Sequence, residues 1–323
     1  MLEFFRKNLF LYNALLLLYC VILRLVGFVK TIPVSPDSNL FSTLLADFFG
    51  GSQSILANLF SIVIILVNAF QINRLVNLNR ITPNSSLFPG LFYILISSMA
   101  LEFQGWHHIH LANSFVILVL LEVFQQTRNE RLLIRTFNVG FLAGAGSLFF
   151  VPYVLLLPLG IAGMINVRTF KRMDYFRVAL GFISPYLILI SLLFYSGQLE
   201  LMWSGHFQNS FSLFDFNEVT WQQYLIGGIF LVGVILVVFN MGALTLKSNI
   251  HTRRKMNTLL VFLLVFTAII PIMADAGVDC FLMIAVPFGI FLGALFLRMD
   301  KQWAEILHFL LLALALAFQW ILA

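Results

Sequence analysis

Charge is the scarcest property of this chain: only 10% of its 323 residues are Asp, Glu, Lys or Arg, against about 25% in an ordinary soluble domain. No polar connection is long enough to fold as a globular unit of its own. Cysteine is almost missing as well. Cys20 and Cys280 both fall in apolar runs, which argues against a disulfide framework and against a thiolate metal site. The first apolar run, Leu9 to Phe28, is followed by no small-x-small cleavage signal, so it is expected to remain as a first span. The net charge of +5 comes from Lys and Arg scattered through short loops rather than gathered in a patch. That distribution speaks for membrane topology and against a nucleic-acid partner.

What fills the chain instead is hydrocarbon. Hydrophobic residues make up 61% and the mean hydropathy is +0.97. The composition predicts an all-α, polytopic transmembrane bundle, one integral membrane domain over 1–323 with the lipid bilayer as its first partner.

The stretch Thr136 to Val167 carries no charge and lies between two basic clusters, Arg128, Arg131 and Arg135 before it and Arg168, Lys171, Arg172 and Arg177 after it. Basic loops stay in the cytoplasm, so a chain that leaves one such cluster and returns to another crosses an even number of times. As helix it would measure about 45 Å, too long for one bilayer core of roughly 30 Å and short for two full spans. A tight hairpin over about 136–167 is expected, turning near Phe150 to Pro152.

This phase sets the rest. About eleven spans are expected with a cytoplasmic N-terminus, and 17 of the 19 Lys and Arg then fall inside, Arg24 and Lys30 being the exceptions. The third span is expected over about 87–103. After the first span, Leu40, Phe41, Leu44, Leu45, Phe48 and Phe49 share one helical face opposite Asn39, Ser42, Thr43 and Asp47. They predict an interfacial helix over about 38–49 in the first outer loop, with Pro36 and Asp37 as start signals. Gly140-x-x-x-Gly144 and Gly289-x-x-x-Gly293 set small residues on one face for close helix approach. Glu122 and His308, inside spans, are expected as satisfied bundle contacts.

The same phase gathers a polar set at the outer face: Asp37, Asp47, Glu102, His107, His108, His110, Glu200, His206, Asp215, Glu218, Asp275 and Asp279. Asp37 and Asp47, directly after the first span, would act as base or cation ligand beside a bilayer that delivers a lipid-borne substrate, and Asp37 would equally serve as a plain helix cap. Of His107, His108 and His110, two could ligate one cation, or one, His107 or His110, could serve as base while another orients it, the plain alternative being a preference for the headgroup zone. Their spacing matches no zinc pattern, and neither a resident metal nor a cofactor is assigned. Arg24 and Lys30, the only outer cations, suit a lipid phosphate because a guanidinium forks onto phosphate oxygens; Arg24 would otherwise snorkel to the headgroups. Glu102 and His206 complete the substrate-binding set.

At NVGFLAGAGSLFFVPYVLLLPLGIAGM, followed by RTFKRMDYFRVALGFISPYLI with Gly181 to Tyr186, the chain resembles a family of uncharacterised inner-membrane proteins of Bacteroidetes-type bacteria, classed as a domain of unknown function. The resemblance runs along the whole chain and implies location in the inner membrane rather than an activity. More loosely, the cytoplasmic N-terminus, the many spans, the interfacial helix in the first outer loop and an acid soon after span one are similar to the membrane glycosyltransferases of the GT-C type. That resemblance implies Asp37 or Asp47 as the catalytic acid. The first outer loop is shorter than in that class, and a large outer domain is missing.

Three functions follow as expectations: an enzyme acting on a lipid-linked sugar or lipid at the periplasmic face, a small-molecule or lipid transporter or flippase built on discontinuous helices, and a non-catalytic subunit of an envelope complex that docks through its Gly-x-x-x-Gly faces.

Overall fold

The computed structural model describes residues 2–6, 10–30, 48, 49, 51, 54–127, 132–197, 221–246, 248–272 and 278–320. Among these residues all regular structure is helical: α1 (Leu2–Phe5), α2 (Phe10–Arg24), α3 (Ile55–Leu78), α4 (Phe88–Ile96), α5 (His108–Phe124), α6 (Leu132–Phe149), α7 (Leu156–Val167), α8 (Arg172–Tyr195), α9 (Trp221–Thr245), α10 (Ile250–Ile269), α11 (Ala285–Arg298) and α12 (Lys301–Trp320). Short 3-10 turns extend α2 over Leu25–Phe28 and precede α7 at Val151–Leu155 and α11 at Val278–Ile284.

Seven described helices are long and apolar enough to cross a bilayer, and Tyr12–Phe28, His108–Phe124 and Val151–Val167 are shorter apolar ones. The chain is a multi-pass, membrane-associated protein. Its surface agrees: Phe194, Phe239 and Leu310 are exposed on α8, α9 and α12, which in water would be an aggregation hazard and in lipid is ordinary solvation.

The Gly-x-x-x-Gly faces do what their spacing predicts. Gly140 and Gly144 of α6 lie against the backbone of Val178 and Phe182 in α8, where an added methyl would strike a carbonyl oxygen. On α11, a methyl at Gly293 would come within 2.7 Å of the Pro89 backbone nitrogen in α4. Both faces are occupied by the protein's own helices, which removes the docking surface that the subunit reading relied on.

The uncharged stretch breaks at Phe150 into helices of unequal length: α6 has 18 residues and α7 only 12. The larger surprise is the third apolar segment. Expected over about 87–103, it is helical only from Phe88 to Ile96, about 13 Å of rise. From Ser97 to His107 the backbone is irregular yet mostly buried.

Residues assigned to the same side meet one another. At one end Arg6 donates to the Met299 carbonyl, Lys301 pairs with Glu3, Arg168 and Arg177 both reach Asp174, and Lys255 donates to Asn79 Oδ1. Glu122 pairs there with Arg135 at 3.2 Å. At the other end Lys30 donates to the Gln319 and Trp320 carbonyls, both at 3.1 Å, and Phe49 packs on Phe60 and Trp106. Between them Tyr19 and His308 share a buried hydrogen bond of 3.2 Å. Glu122 is thus the satisfied bundle contact anticipated for it, whereas His308 is only half satisfied, its Nδ1 being buried without a partner among the described residues.

Candidate functional site

A helix that stops inside a protein leaves carbonyl oxygens without partners, and the chain continuing from it adds more. Buried polar backbone must be satisfied. Around Ser97 to Gly105 the satisfaction comes mainly from one side chain, Arg24 at the end of α2. It is only 1% exposed. Its Nη1 donates to Ser97 O at 3.2 Å. Its Nη2 lies within reach of Ser61 Oγ and Phe103 O, both at 2.9 Å, of Gly105 O at 3.1 Å, and of Gln104 O. All of these acceptors are neutral oxygens. Arg24 does not snorkel to headgroups; the guanidinium is the cap of the interrupted segment.

Amides complete the task. Gln104 Nε2 donates to Leu23 O at 3.2 Å and to Ser98 O at 3.0 Å, and Gln319 of α12 also reaches Ser98 O. Asn58 Nδ2 donates to Gly27 O at 2.9 Å, beneath the turn that follows Arg24. Lys30, the second of the two cations expected on the outer side, caps the C-terminal carbonyls of α12, where a positive charge is favoured by the helix dipole.

The histidines stand where the irregular stretch re-enters a helix. His107 is the N-cap of α5: its Nδ1 accepts the Ile109 N–H at 3.3 Å, and its Nε2 lies 3.0 Å from Asp279 Oδ2. An Nδ1 that accepts leaves the proton on Nε2, so Nε2–H donates to the carboxylate. His108 stacks on His107 with ring centroids 4.5 Å apart and touches Phe150 at the hairpin turn. His110 is fully buried; its Nε2 donates to Phe103 O at 3.2 Å, and its Nδ1 has no partner among the described residues. Glu102 sits half-buried in the irregular stretch, where burial pushes its carboxyl above the usual range.

Behind this layer runs a neutral network. Asn68 Nδ2 donates to Tyr93 Oη and to His110 O, and Ser114 donates to Asn68 Oδ1. Asn113 Nδ2 donates to Leu282 O in the 3-10 turn before α11, while Tyr153 donates to Asn113 Oδ1. The hairpin turn, α5, the interrupted segment and the entry to α11 therefore converge on one polar core. Among the described residues no group of three His, Cys, Asp or Glu is arranged to hold a metal ion.

Of the candidate residues read from the sequence, Arg24, Glu102, His107 and His110 come together here and Lys30 lies at the same end of the molecule. Asp37, Asp47 and His206 lie outside the described residues, as does most of the interfacial helix expected over 38–49. Sequence reasoning missed Gln104, Gln319, Asn68 and Asn113. The last three had a readable signal, because an amide inside an apolar run needs an interior partner.

No curated protein and no solved structure matches the chain. A family of unknown function (DUF6427) matches residues 21–323, nearly the whole length, and the protein belongs to that family.

Proposed function

We propose that the protein lies in a bacterial inner membrane with its N-terminus in the cytoplasm and about eleven apolar segments, and that its polar core, at the periplasmic end, acts on a lipid or a lipid-linked sugar. The GT-C likeness supplies the class, a transferase whose base or cation ligand is Asp37 or Asp47. What carries the reading is the convergence of His107, Asp279 and Glu102 on the interrupted segment. Lys30 and Phe48, the described residues that flank the stretch bearing Asp37 and Asp47, belong to the same end. In this arrangement Arg24, His107 and His110 are positioning residues that hold the irregular backbone, while Lys30, Glu102 and His206 are the groups assigned to substrate. No cofactor is assigned.

The test is genetic. A strain lacking the gene is complemented with the Asp37→Asn, Asp47→Asn double variant at wild-type protein level, and its envelope lipids and glycans are profiled by mass spectrometry. The deletion profile should persist; restoration of the wild-type profile rules out the carboxylates and with them the transferase. A transporter or flippase is the second reading. It is favoured by the segment interrupted at Ser97 facing another that begins as a 3-10 turn at Val278, the pairing of broken helices that often encloses a transport site.

A further inference from the structure

α12 is held to the bundle by polar clasps rather than by close packing. Of its 20 residues only Ala304, His308, Ala315, Phe318 and Gln319 are buried. It contains no glycine and so makes nothing like the backbone approach of α6 on α8. In a bilayer apolar faces gain little by leaving lipid for one another, so close packing and polar contacts decide what holds. The clasps stand at three levels. Lys301 pairs with Glu3 at the basic end, and His308 meets Tyr19 in the middle at 3.2 Å. At the polar-core end Gln319 reaches Ser98 O, while Lys30 donates to the Gln319 and Trp320 carbonyls.

The three are not equally hard to release. If Gln319 leaves, Ser98 O keeps the Gln104 Nε2 donor at 3.0 Å, and Gln319 Oε1, buried without a partner among the described residues, gains donors from water or headgroups. A helix of 20 residues is about 30 Å long, so the carbonyls that Lys30 caps lie near the bilayer surface, where water can replace it. Lys301 and Glu3 are both largely exposed and can follow one another. The Tyr19–His308 bond is different, because parting it would leave a hydroxyl and a ring nitrogen in hydrocarbon. With neither Pro nor Gly to bend it, α12 moves as a rod, and the least costly motion is a tilt about His308. Gln319 stands 11 positions beyond that pivot, so a tilt of about 20° carries it about 6 Å.

We infer that α12 is a lateral gate: pivoting on the Tyr19–His308 bond, its polar-core end swings away from Ser98 and opens the interrupted segment directly to the lipid leaflet. The motion stands on the clasps alone; that a lipid or lipid-linked sugar enters through it rests on the function proposed above.

The experiment uses the full chain in phospholipid nanodiscs, in a Cys20→Ala, Cys280→Ala background. Spin labels are placed at Leu56→Cys on α3 and at either Trp320→Cys or Phe309→Cys on α12, all exposed positions, and distances are read by double electron–electron resonance. Releasing the clasp with Gln319→Ala should add a population in which the 56–320 distance is longer by about 5 Å, while the 56–309 distance, one residue from the pivot, stays in place. Should that variant not fold, Lys30→Ala, at a half-buried surface position, gives the same reading. A 56–320 distance unchanged in both variants would overturn the gate, and so would an equal shift at 309, since the whole helix would then be detaching. Because the readout is a distance, loss of the transferase in the genetic test leaves this result intact, and failure here leaves that test standing.

Discussion

Replacing Arg24 by methionine is a sharp perturbation, because the apolar stem is kept while every donor is lost and the space of the guanidinium is left unfilled. The guanidinium lies against Ser97 O, Phe103 O, Gln104 O, Gly105 O and Ser61 Oγ. Nη2 has two hydrogens for four of these acceptors, so about three bonds are made at once, and Ser61 Oγ–H independently serves Gly105 O at 3.1 Å. Methionine therefore strands two or three buried carbonyls at about 1 to 3 kcal/mol each. Against this, the variant no longer carries a desolvated cation without a carboxylate beside it, which returns part of the loss. The carbonyls should win, since they stay buried whatever stands at position 24, and a net destabilisation of about 3 to 6 kcal/mol is expected. In detergent this corresponds to a fall of about 5 to 15 °C in apparent Tm. The lesion should also be local. A cysteine at Ser98, which is fully buried, should resist a water-soluble maleimide in the otherwise wild-type chain and react once Arg24 is replaced. A Tm within about 2 °C of wild type, together with continued protection at position 98, would refute the capping role.

Gly144→Val should cost several kcal/mol, because its branched side chain is driven into the Phe182 backbone of α8; a sharp monodisperse elution profile with unchanged Tm would contradict this packing. Glu102→Gln should stabilise the protein at neutral pH. Burial raises the carboxyl's folded pKa above its unfolded value, so wild-type stability falls as pH rises from about 4, near the unfolded value, through the raised one. The advantage of the variant should vanish in acid, and a difference independent of pH would be the wrong result. For orientation, a cysteine at Arg172 should be labelled from outside the cell only after permeabilisation, and one at Phe207 without it; the reverse pattern would turn the molecule over.

The gathering of basic residues at one end of the bundle was legible because the bias of loop cations toward one side leaves a mark in the sequence. Arg6, Arg168 and Lys301 could be assigned to one side without knowing their partners. The Gly140 and Gly289 faces were legible for a similar reason, since close approach needs small residues at fixed spacing. The break at Ser97 was not. The apolar run through Phe88, Ile96, Met99 and Phe103 satisfies any periodicity test for a continuous span, and nothing in it marks where the hydrogen bonding stops. Nor was the role of Arg24 legible, because its partners are backbone carbonyls 73 to 81 positions away, and a carbonyl has no identity in a sequence. The sequence reading therefore offered Arg24 to a phosphate, the natural partner of a lone outer arginine, when its partner is the chain itself.

That difference bears on where chemistry can arise at this end. His107 looks like half of an acid–base pair with Asp279, but its second nitrogen already accepts the Ile109 N–H at the start of α5. Protonating that nitrogen would set an N–H against an N–H and undo the cap, so His107 in this conformation is a poor base, and its carboxylate partner orients it for a structural purpose. His110 holds Phe103 O, and Arg24 holds the backbone from Ser97 to Gly105. With these groups engaged by the interrupted segment, acid–base chemistry here falls to carboxylates. Those are Asp37 and Asp47 of the outer-loop reading, while Glu102, whose proton is retained toward higher pH, serves as a donor to substrate. A transferase at this end would run on those acids, with the histidines and the arginine fixing the scaffold against which they act.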